Sequence, residues 1–302
     1  MPQPAIFKTS TVIITYRRDD ALSQTLSRLA EVLPGDARDH EVVLVDNNAD
    51  GRNRSVMLDA FRHARYVASS CNLGVAAGRN LGVAEASGEV LVFIDDDALV
   101  CGGTGFHDAV VKAFEDDASL GAVAFRSHMR EEGVSDPIEF PHTDKTLPRD
   151  AAFETFRFIG VGHAIRAEAM ASVGPYYASF FYGMEEFELC FRLMDLGWSI
   201  RYEPRFAVLH MKMPSGRLPT KAVAQRMYAN KLCLAWMHLP TKEFVLCACA
   251  WAVKTLLDTR SPATVLRAIL AFTKNARTDR MKRLPKAHVV NKISVLGGVP
   301  WR

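Results

Sequence analysis

Apolar residues in the first hundred positions fall into short unbroken runs, separated by stretches in which they recur at helical spacing. Ser10 to Thr15 (STVIIT) has a β-branched, wholly apolar centre, which predicts a strand buried on both faces. Leu22, Leu26, Leu29, Val32 and Leu33 then recur every three to four residues, as on the inner face of an amphipathic helix. The cycle repeats. Glu41 to Val45 (EVVLV) predicts a strand, Asn53 to His63 a helix and Arg65 to Ala68 a short third strand. Gly74 to Ala86 predicts an Ala-rich helix closed by Gly88, and Val90 to Ile94 a fourth strand. Strands alternating with helices imply a parallel, doubly wound sheet with right-handed crossovers. Such a sheet collects the polar residues that follow each strand along one edge, where open α/β sheets bind ligands.

Beyond Asp97 the regularity fades. Phe106 to Phe114 reads as a helix and Leu120 to Phe125 (LGAVAF) as a strand, whereas Ser127 to Asp150 is polar, contains proline and shows no period. A loop of that length inside a domain points to function. Phe158 to Ile165 restores a strand-like run with Gly160 and Gly162 allowing close backbone approach. Glu185 to Leu196 predicts a helix with Leu189, Leu193 and Leu196 inward and Gly197 as its stop, and Phe206 to Leu209 a strand running into His210. Trp198 reads as core packing.

From Pro219 onward the pattern is helical. Phe244 to Val253 (FVLCACAWAV) is the most apolar stretch, but at about ten residues it is too short to cross a bilayer. Two readings stay open. Flanked by Lys242, Lys254, Arg260, Arg267, Lys274 and Arg277, with Trp236 and Trp251, it suits a helix bedded on an anionic membrane surface; equally it suits a buried helix or a homodimer interface.

Composition narrows the class. With 302 residues, 49% of them apolar, and a net charge of +3, the chain can bury one large or two modest cores. Met1 to Thr9 holds Pro2 and Pro4 and no apolar signal-peptide core, so a cytoplasmic protein is expected, with association to the inner face of the membrane as an extension of that expectation. The six cysteines (Cys71, Cys101, Cys190, Cys233, Cys247, Cys249) show no zinc-ligand spacing and read as reduced and mostly buried. Basic residues gather after Lys212, which suits either an anionic partner surface or a solvated helical face; nucleic acid is disfavoured because an acidic pocket repels phosphodiester.

That pocket comes from Asp95-Asp96-Asp97, released at the end of the buried run Val90 to Ile94. Three carboxylates at a strand exit suit Mg²⁺ or Mn²⁺ with coordination positions left for substrate phosphates. The acidic pair Glu185-Glu186 and His210 complete a set fit for transfer from a nucleoside diphosphate to a hydroxyl. A metal neutralises the departing diphosphate and a carboxylate takes the acceptor's proton. Met211 to Lys221, with Ser215-Gly216-Arg217, reads as a lid over the donor, and Gly183 as a place where substrate approaches the backbone.

The ordered motifs VIITYRR (Val12 to Arg18), VLVDNN (Val43 to Asn48), NLGVAAGRNLG (Asn72 to Gly82), VFIDDDA (Val92 to Ala98), GMEEFELCFRLMDLGW (Gly183 to Trp198) and P-x5-H (Pro204 to His210) resemble glycosyltransferase family 2 over roughly residues 10 to 215. The resemblance implies an inverting, metal-dependent enzyme of GT-A fold, an α/β protein with a Rossmann-like mixed sheet, here followed by a C-terminal helical region. It places Thr15, Tyr16 and Arg17 beside the nucleotide, Asp46 on its base, and Asn72 to Asn80 along it, with Arg79 facing base or diphosphate. It puts Asp95 and Asp96 near ribose and phosphate, and Asp97 with His210, as a DXD-type site, on Mn²⁺ or Mg²⁺. It casts Glu186 as the catalytic base, with Glu185 the alternative. The pair is Glu-Glu where the family has Glu-Asp, and Glu188 stands where an Asp is expected two residues later. Residues 1–105 are then the nucleotide-sugar half, 106–215 the acceptor and catalytic half, and 216–302 a basic helical region. The expected donor is a UDP- or dTDP-sugar, and the acceptor a saccharide, a lipid-linked sugar or a small molecule. Rival readings are a non-catalytic scaffold and a nucleotidyltransferase; the latter needs a second metal or a P-loop, and no GxxxxGK[ST] occurs.

Overall fold

The computed structural model describes residues 7–33, 38–48, 50–61, 63–129, 136–216 and 218–300; Met1 to Ile6, Arg217 and the centre of the polar loop lie outside them. Strands β1 (Phe7–Thr15), β2 (His40–Asp46), β3 (Ala64–Ala68) and β4 (Gly88–Ile94) alternate with helices α1 (Asp19–Val32), α2 (Arg54–Ala60) and α3 (Gly74–Glu85). These four strands pair in parallel in the order β3-β2-β1-β4, as the apolar runs predict. Val12 and Ile13 are both fully buried, each in a different core cluster, so both faces of β1 are covered, and the buried Thr11 between them and the strand start is satisfied by His107 Nε2 at 3.0 Å. The second helix is shorter than Asn53 to His63, because Phe61 is already extended (φ −135°, ψ 134°).

The second half departs from an all-parallel sheet. It contributes β5 (Ala98–Cys101), β6 (Leu120–His128), β7 (Phe153–Thr155), β8 (Gly162–Arg166) and β9 (Ser199–His210), with α4 (Phe106–Glu115), α5 (Ala167–Val173) and α6 (Glu185–Asp195) between them. Strand order continues β4-β8-β6-β9-β5, and β7 pairs with β9. The β4–β8, β6–β8, β5–β9 and β7–β9 pairs are antiparallel, giving the mixed sheet of a GT-A protein. Strand β9 starts earlier than Phe206: Ser199 to Glu203 alternates polar and apolar, with Ile200 and Tyr202 buried, a period-2 signal on a half-covered surface. Similarly, β8 begins only at Gly162, because Phe158 to Val161 form the bend that brings the Val161 carbonyl to the Asp95 N–H at 3.2 Å.

Helices α1 and α4 cover one face of the sheet, with Leu22, Leu26, Leu29, Val110 and Phe114 in the core; α5 and α6 cover the other with Met170, Leu189 and Leu193. Leu196 is not inward as expected but 54% exposed, since the helix ends at Asp195 and Gly197 turns away with φ +89°. Trp198 lies half-buried against Gly121 and donates its indole N–H to Ser172 Oγ at 3.1 Å. Three cysteines, Cys190, Cys233 and Cys247, are buried, while Cys71 and Cys249 are exposed. The chain ends in α7 (Thr220–His238), α8 (Thr241–Thr259), α9 (Pro262–Thr278) and α10 (Ala287–Val295). No helix among the described residues is long and apolar enough to cross a membrane.

Candidate active site

Four strand exits meet at one edge of this sheet. Thr15, at the end of β1, sits across from Asp46 at the end of β2, and both are fully buried. Asp46 accepts hydrogen bonds from the Asn48 amide N–H (2.9 Å), Asn48 Nδ2 (2.7 Å), Asn53 Nδ2 (3.1 Å) and Tyr66 OH (2.6 Å), which satisfy the buried carboxylate without solvent. Arg17 takes the left-handed conformation (φ 56°), donates its N–H to Asn48 Oδ1 at 2.8 Å and lays its guanidinium near the Tyr16 ring. The first and second strand exits are thereby tied together. Asn72 spends its side chain on the Gly74 N–H (2.9 Å), fixing the entry to α3.

The three aspartates take three different directions. Asp96 turns toward the first loop, accepting from Arg18 Nη1 at 2.8 Å and the Tyr16 N–H at 3.4 Å; burial, opposed by Arg18, pushes its carboxyl up to about 6. Asp97 is fully buried, and its Oδ2 accepts the Met213 N–H at 3.0 Å. Its Oδ1 has no hydrogen-bond partner and faces Arg18 Nη1 at 3.2 Å and His210 Nε2 at 3.4 Å. Asp95, Asp97 and His210 each offer one ligand atom, all within 4.8 Å of one another. The register explains the convergence: Ala98, directly after the triplet, pairs with His210 at the end of β9, and the Met211 N–H donates to the Asp97 carbonyl at 2.8 Å.

An orphaned buried carboxylate oxygen opposite an imidazole nitrogen is a donor set that fits a hard divalent cation. The far side of His210 agrees. Glu139, in the short 3₁₀ turn Pro137–Glu139 of the polar loop, accepts Nδ1–H at 2.8 Å and directs Nε2 at Asp97, the carboxylate–histidine arrangement that orients metal ligands. Between these carboxylates the imidazole pKa rises to about 9 although burial opposes it. Glu139, held also by Ser127 and Lys212, falls to about 2 against the same opposition. Neither Glu139 nor Arg18 stood out in the sequence. Arg18 was visible as the second Arg of the Tyr16-Arg17-Arg18 run, whereas Glu139 lies in a segment without period.

The pair Glu185-Glu186 opens α6 behind the triplet. Arg79, only 2% exposed, reaches both: its Nη1 lies 2.9 Å from Glu186 Oε1 and 3.3 Å from Glu185 Oε1, and its Nη2 3.7 Å from Asp95 Oδ1 and 3.2 Å from the Gly160 carbonyl. One guanidinium thus links the acidic pair to the candidate metal ligands. Glu185 is 2% exposed, and burial followed by the charge of Glu186 pushes its carboxyl up to about 8 against the pull of Arg79. Glu186 is partly open to solvent. Gly160 packs against it so closely that an added Cβ would stand 2.2 Å from Glu186 Oε1. Glu188 points elsewhere, into a bidentate bond with Arg192 and a 2.9 Å contact with His238 of α7.

The bend before α6 is strained and clamped. Phe181 (φ 56°), Gly183 (φ 83°) and Met184 (φ 71°) are all left-handed, and Asn230 Nδ2 on α7 donates to the carbonyls of Phe180 (2.7 Å), Tyr182 (3.1 Å) and Gly183 (2.8 Å). The space over Gly183 is filled by Met227, whose sulfur would lie 2.1 Å from a Cβ there. In the segment expected as a lid, the Ser215 carbonyl accepts Arg18 Nε–H at 2.8 Å, which ties it to the loop after β1.

The sequence matches the family described as Glycosyl transferase family 2 over residues 10–174, more than half of the chain, and the chain belongs to that family. A protein of Haemophilus influenzae is 31% identical over 146 residues, 44% of this chain and 75% of that one. Among solved structures, GalNAc-T7 with UDP, GalNAc and Mn²⁺ shares 14% identity with a TM-score of 0.66, covering 96% of this chain but 57% of that one. The mannosyltransferase PcManGT of Pyrobaculum calidifontis, with GDP-Man and Mn²⁺, shares 17% at a TM-score of 0.57 over 99% and 86%. S. aureus TarS residues 1–349 with UDP-GlcNAc share 14% at 0.55 over 90% and 73%. The chain thus spans just over half the length of GalNAc-T7, and these likenesses establish the GT-A fold.

Proposed function

We propose that this chain is an inverting, metal-dependent glycosyltransferase that moves a sugar from a nucleoside-diphosphate donor, UDP- or dTDP-linked, to a hydroxyl of a saccharide, lipid-linked or small-molecule acceptor. The observation that carries this reading is the convergence of Asp95, Asp97 and His210 within 4.8 Å, with Glu186 joined to Asp95 through Arg79. Asp97, His210 and Asp95 would hold Mn²⁺ or Mg²⁺, which would supply charge neutralisation for the leaving diphosphate. Asp46 recognises the base, and Thr15, Tyr16 and Arg17 border it, with Asn72 holding the edge of the α3 entry. Asp96, fixed by Arg18, lies toward ribose and phosphate.

Glu186 acts as the base in preference to Glu185, because Glu186 keeps access to solvent whereas Glu185 is buried behind it. The acceptor oxygen attacks the anomeric carbon on the face opposite the diphosphate, Glu186 takes the hydroxyl proton, and one displacement inverts the centre. Residues 1–105 bind the donor, and 106–215 supply the base and the acceptor contacts.

A thermal-shift panel of UDP, dTDP, GDP and their sugars, with and without Mn²⁺, tests the site on wild type and Asp97→Asn. The expected result is a selective, Mn²⁺-dependent rise that the substitution abolishes. No shift with any nucleotide on the folded wild type would return the chain to the scaffold reading.

A further inference from the structure

Helices α8 and α9 carry apolar residues on two faces. Against α7 they turn Phe244, Trp251, Val265 and Phe272 together with small or polar residues, Cys247, Thr255 and Thr259 being the buried positions of α8 and Thr264 and Ala268 those of α9. A second set of large aliphatic side chains faces solvent. On α8, Leu246, Val253 and Leu257 are 44, 57 and 71% exposed, at the four- and seven-residue spacings of one helical face. On α9, Leu266, Ile269 and Leu270 are 59, 40 and 59% exposed at the same kind of spacing. A soluble monomer places such residues inward, and adjacent helices that both do the reverse mark a surface made to be covered.

The charge around this face selects what covers it. Residues 241–286 hold ten Lys and Arg against three acids, whereas the whole chain is only +3, so the remainder is net negative. Helix α9 contains no acidic residue, and Arg267, Lys274 and Arg277 have no ion-pair partner among the described residues. A second copy of the chain, docked face to face, would set these cations against their own equivalents without a countercharge.

We infer that the α8–α9 face docks on an anionic phospholipid surface, the aliphatic residues entering the headgroup layer and Lys242, Arg260, Arg267, Lys274 and Arg277 meeting lipid phosphates. The helices lie on the bilayer, since none among the described residues can cross it. This placement stands independently of the transfer chemistry. If both hold, the enzyme works on acceptors presented at that surface.

Flotation of the full chain with vesicles made from equal parts phosphatidylcholine and phosphatidylglycerol, beside vesicles of phosphatidylcholine alone, tests it. Wild type is expected to float with the anionic vesicles only, and less at raised salt. Arg267→Gln/Lys274→Gln/Arg277→Gln is expected to weaken partitioning on the order of a hundredfold, from the attraction of each basic residue to an anionic leaflet. Leu257→Ser/Leu266→Ser/Leu270→Ser is expected to abolish it. All six exchanged positions are exposed and lie on α8 and α9, which contribute no residue to the acidic site, so both variants should keep the wild-type melting temperature and nucleotide response. Absence of flotation with anionic vesicles, or equal flotation with both kinds, overturns the inference. So does a wild-type dimer in light scattering that the leucine variant dissolves, because a second copy would then own the face.

Discussion

Glu139 Oε1 lies 2.8 Å from His210 Nδ1, on the side of the ring away from Asp97, and so decides which imidazole nitrogen faces the candidate metal position. Glu139→Gln keeps the size but loses the charge and the obligate acceptor. Mn²⁺ affinity, titrated calorimetrically in the presence of UDP, is expected to fall about 10- to 100-fold with the fold intact. An unchanged affinity would mean that His210 is oriented by its strand alone.

Glu186→Gln removes the proposed base without altering packing. The expected outcome is a drop in kcat of about 10²- to 10⁴-fold with donor KM little changed, read in a coupled nucleotide-release assay. Gly160→Ala is a subtler probe. Its methyl group would stand 2.2 Å from Glu186 Oε1 and 2.8 Å from the buried Arg79 Nη2, so the carboxylate and the guanidinium both have to shift. Displacement of a reacting group by about 1 Å costs up to roughly a hundredfold, and kcat should fall on that order, with some loss of melting temperature from the disturbed buried pair.

Glu185 makes stability depend on pH. Its carboxyl is raised from 4.5 to about 8 by burial and by Glu186, so the folded state binds a proton that the unfolded state has released. Its contribution is full below pH 4.5 and is lost as pH rises through about 8. Glu185→Gln should therefore flatten the decline in melting temperature across that interval. Identical slopes for the two proteins would show that Glu185 is ionised when folded.

Asn230→Ala leaves the carbonyls of Phe180, Tyr182 and Gly183 without their shared donor. Loss of about 1–3 kcal/mol is expected in urea unfolding, the ordinary penalty for stranding buried acceptors. Because the clamped bend leads straight into α6, kcat should fall as well, and further than an equally destabilising core change such as Leu232→Ala lowers it.

The first half of the fold was legible because β1, β2 and β4 are buried on both faces and show apolar runs, with the edge strand β3, which has no buried residue, following at the expected spacing. Strand β7, only three residues long, and β5, four residues long directly after the aspartates, carry too few positions to show a period. The early part of β9 hid behind Arg201 and Glu203, which pair with each other at 2.8 Å at the sheet margin. At the site, Asp97 and His210 were readable from their strand exits. Arg79 was readable as a charge but not as a buried cation among Glu185, Glu186 and Asp95, because the two glutamates lie more than a hundred residues away. Glu139 gave no signal, since a lone acid in an aperiodic loop acquires meaning only from the histidine it meets.

Strand β4, which delivers the aspartates, is paired on one side with β1, made before it, and on the other with β8, made long after. His210 arrives later still, at the end of β9. A chain emerging from the ribosome therefore exposes a row of three carboxylates and an open strand edge until most of its length has been synthesised. Contacts of such long sequence separation close slowly, so the interval in which this edge can find a wrong partner is set by translation and not by the speed of local folding.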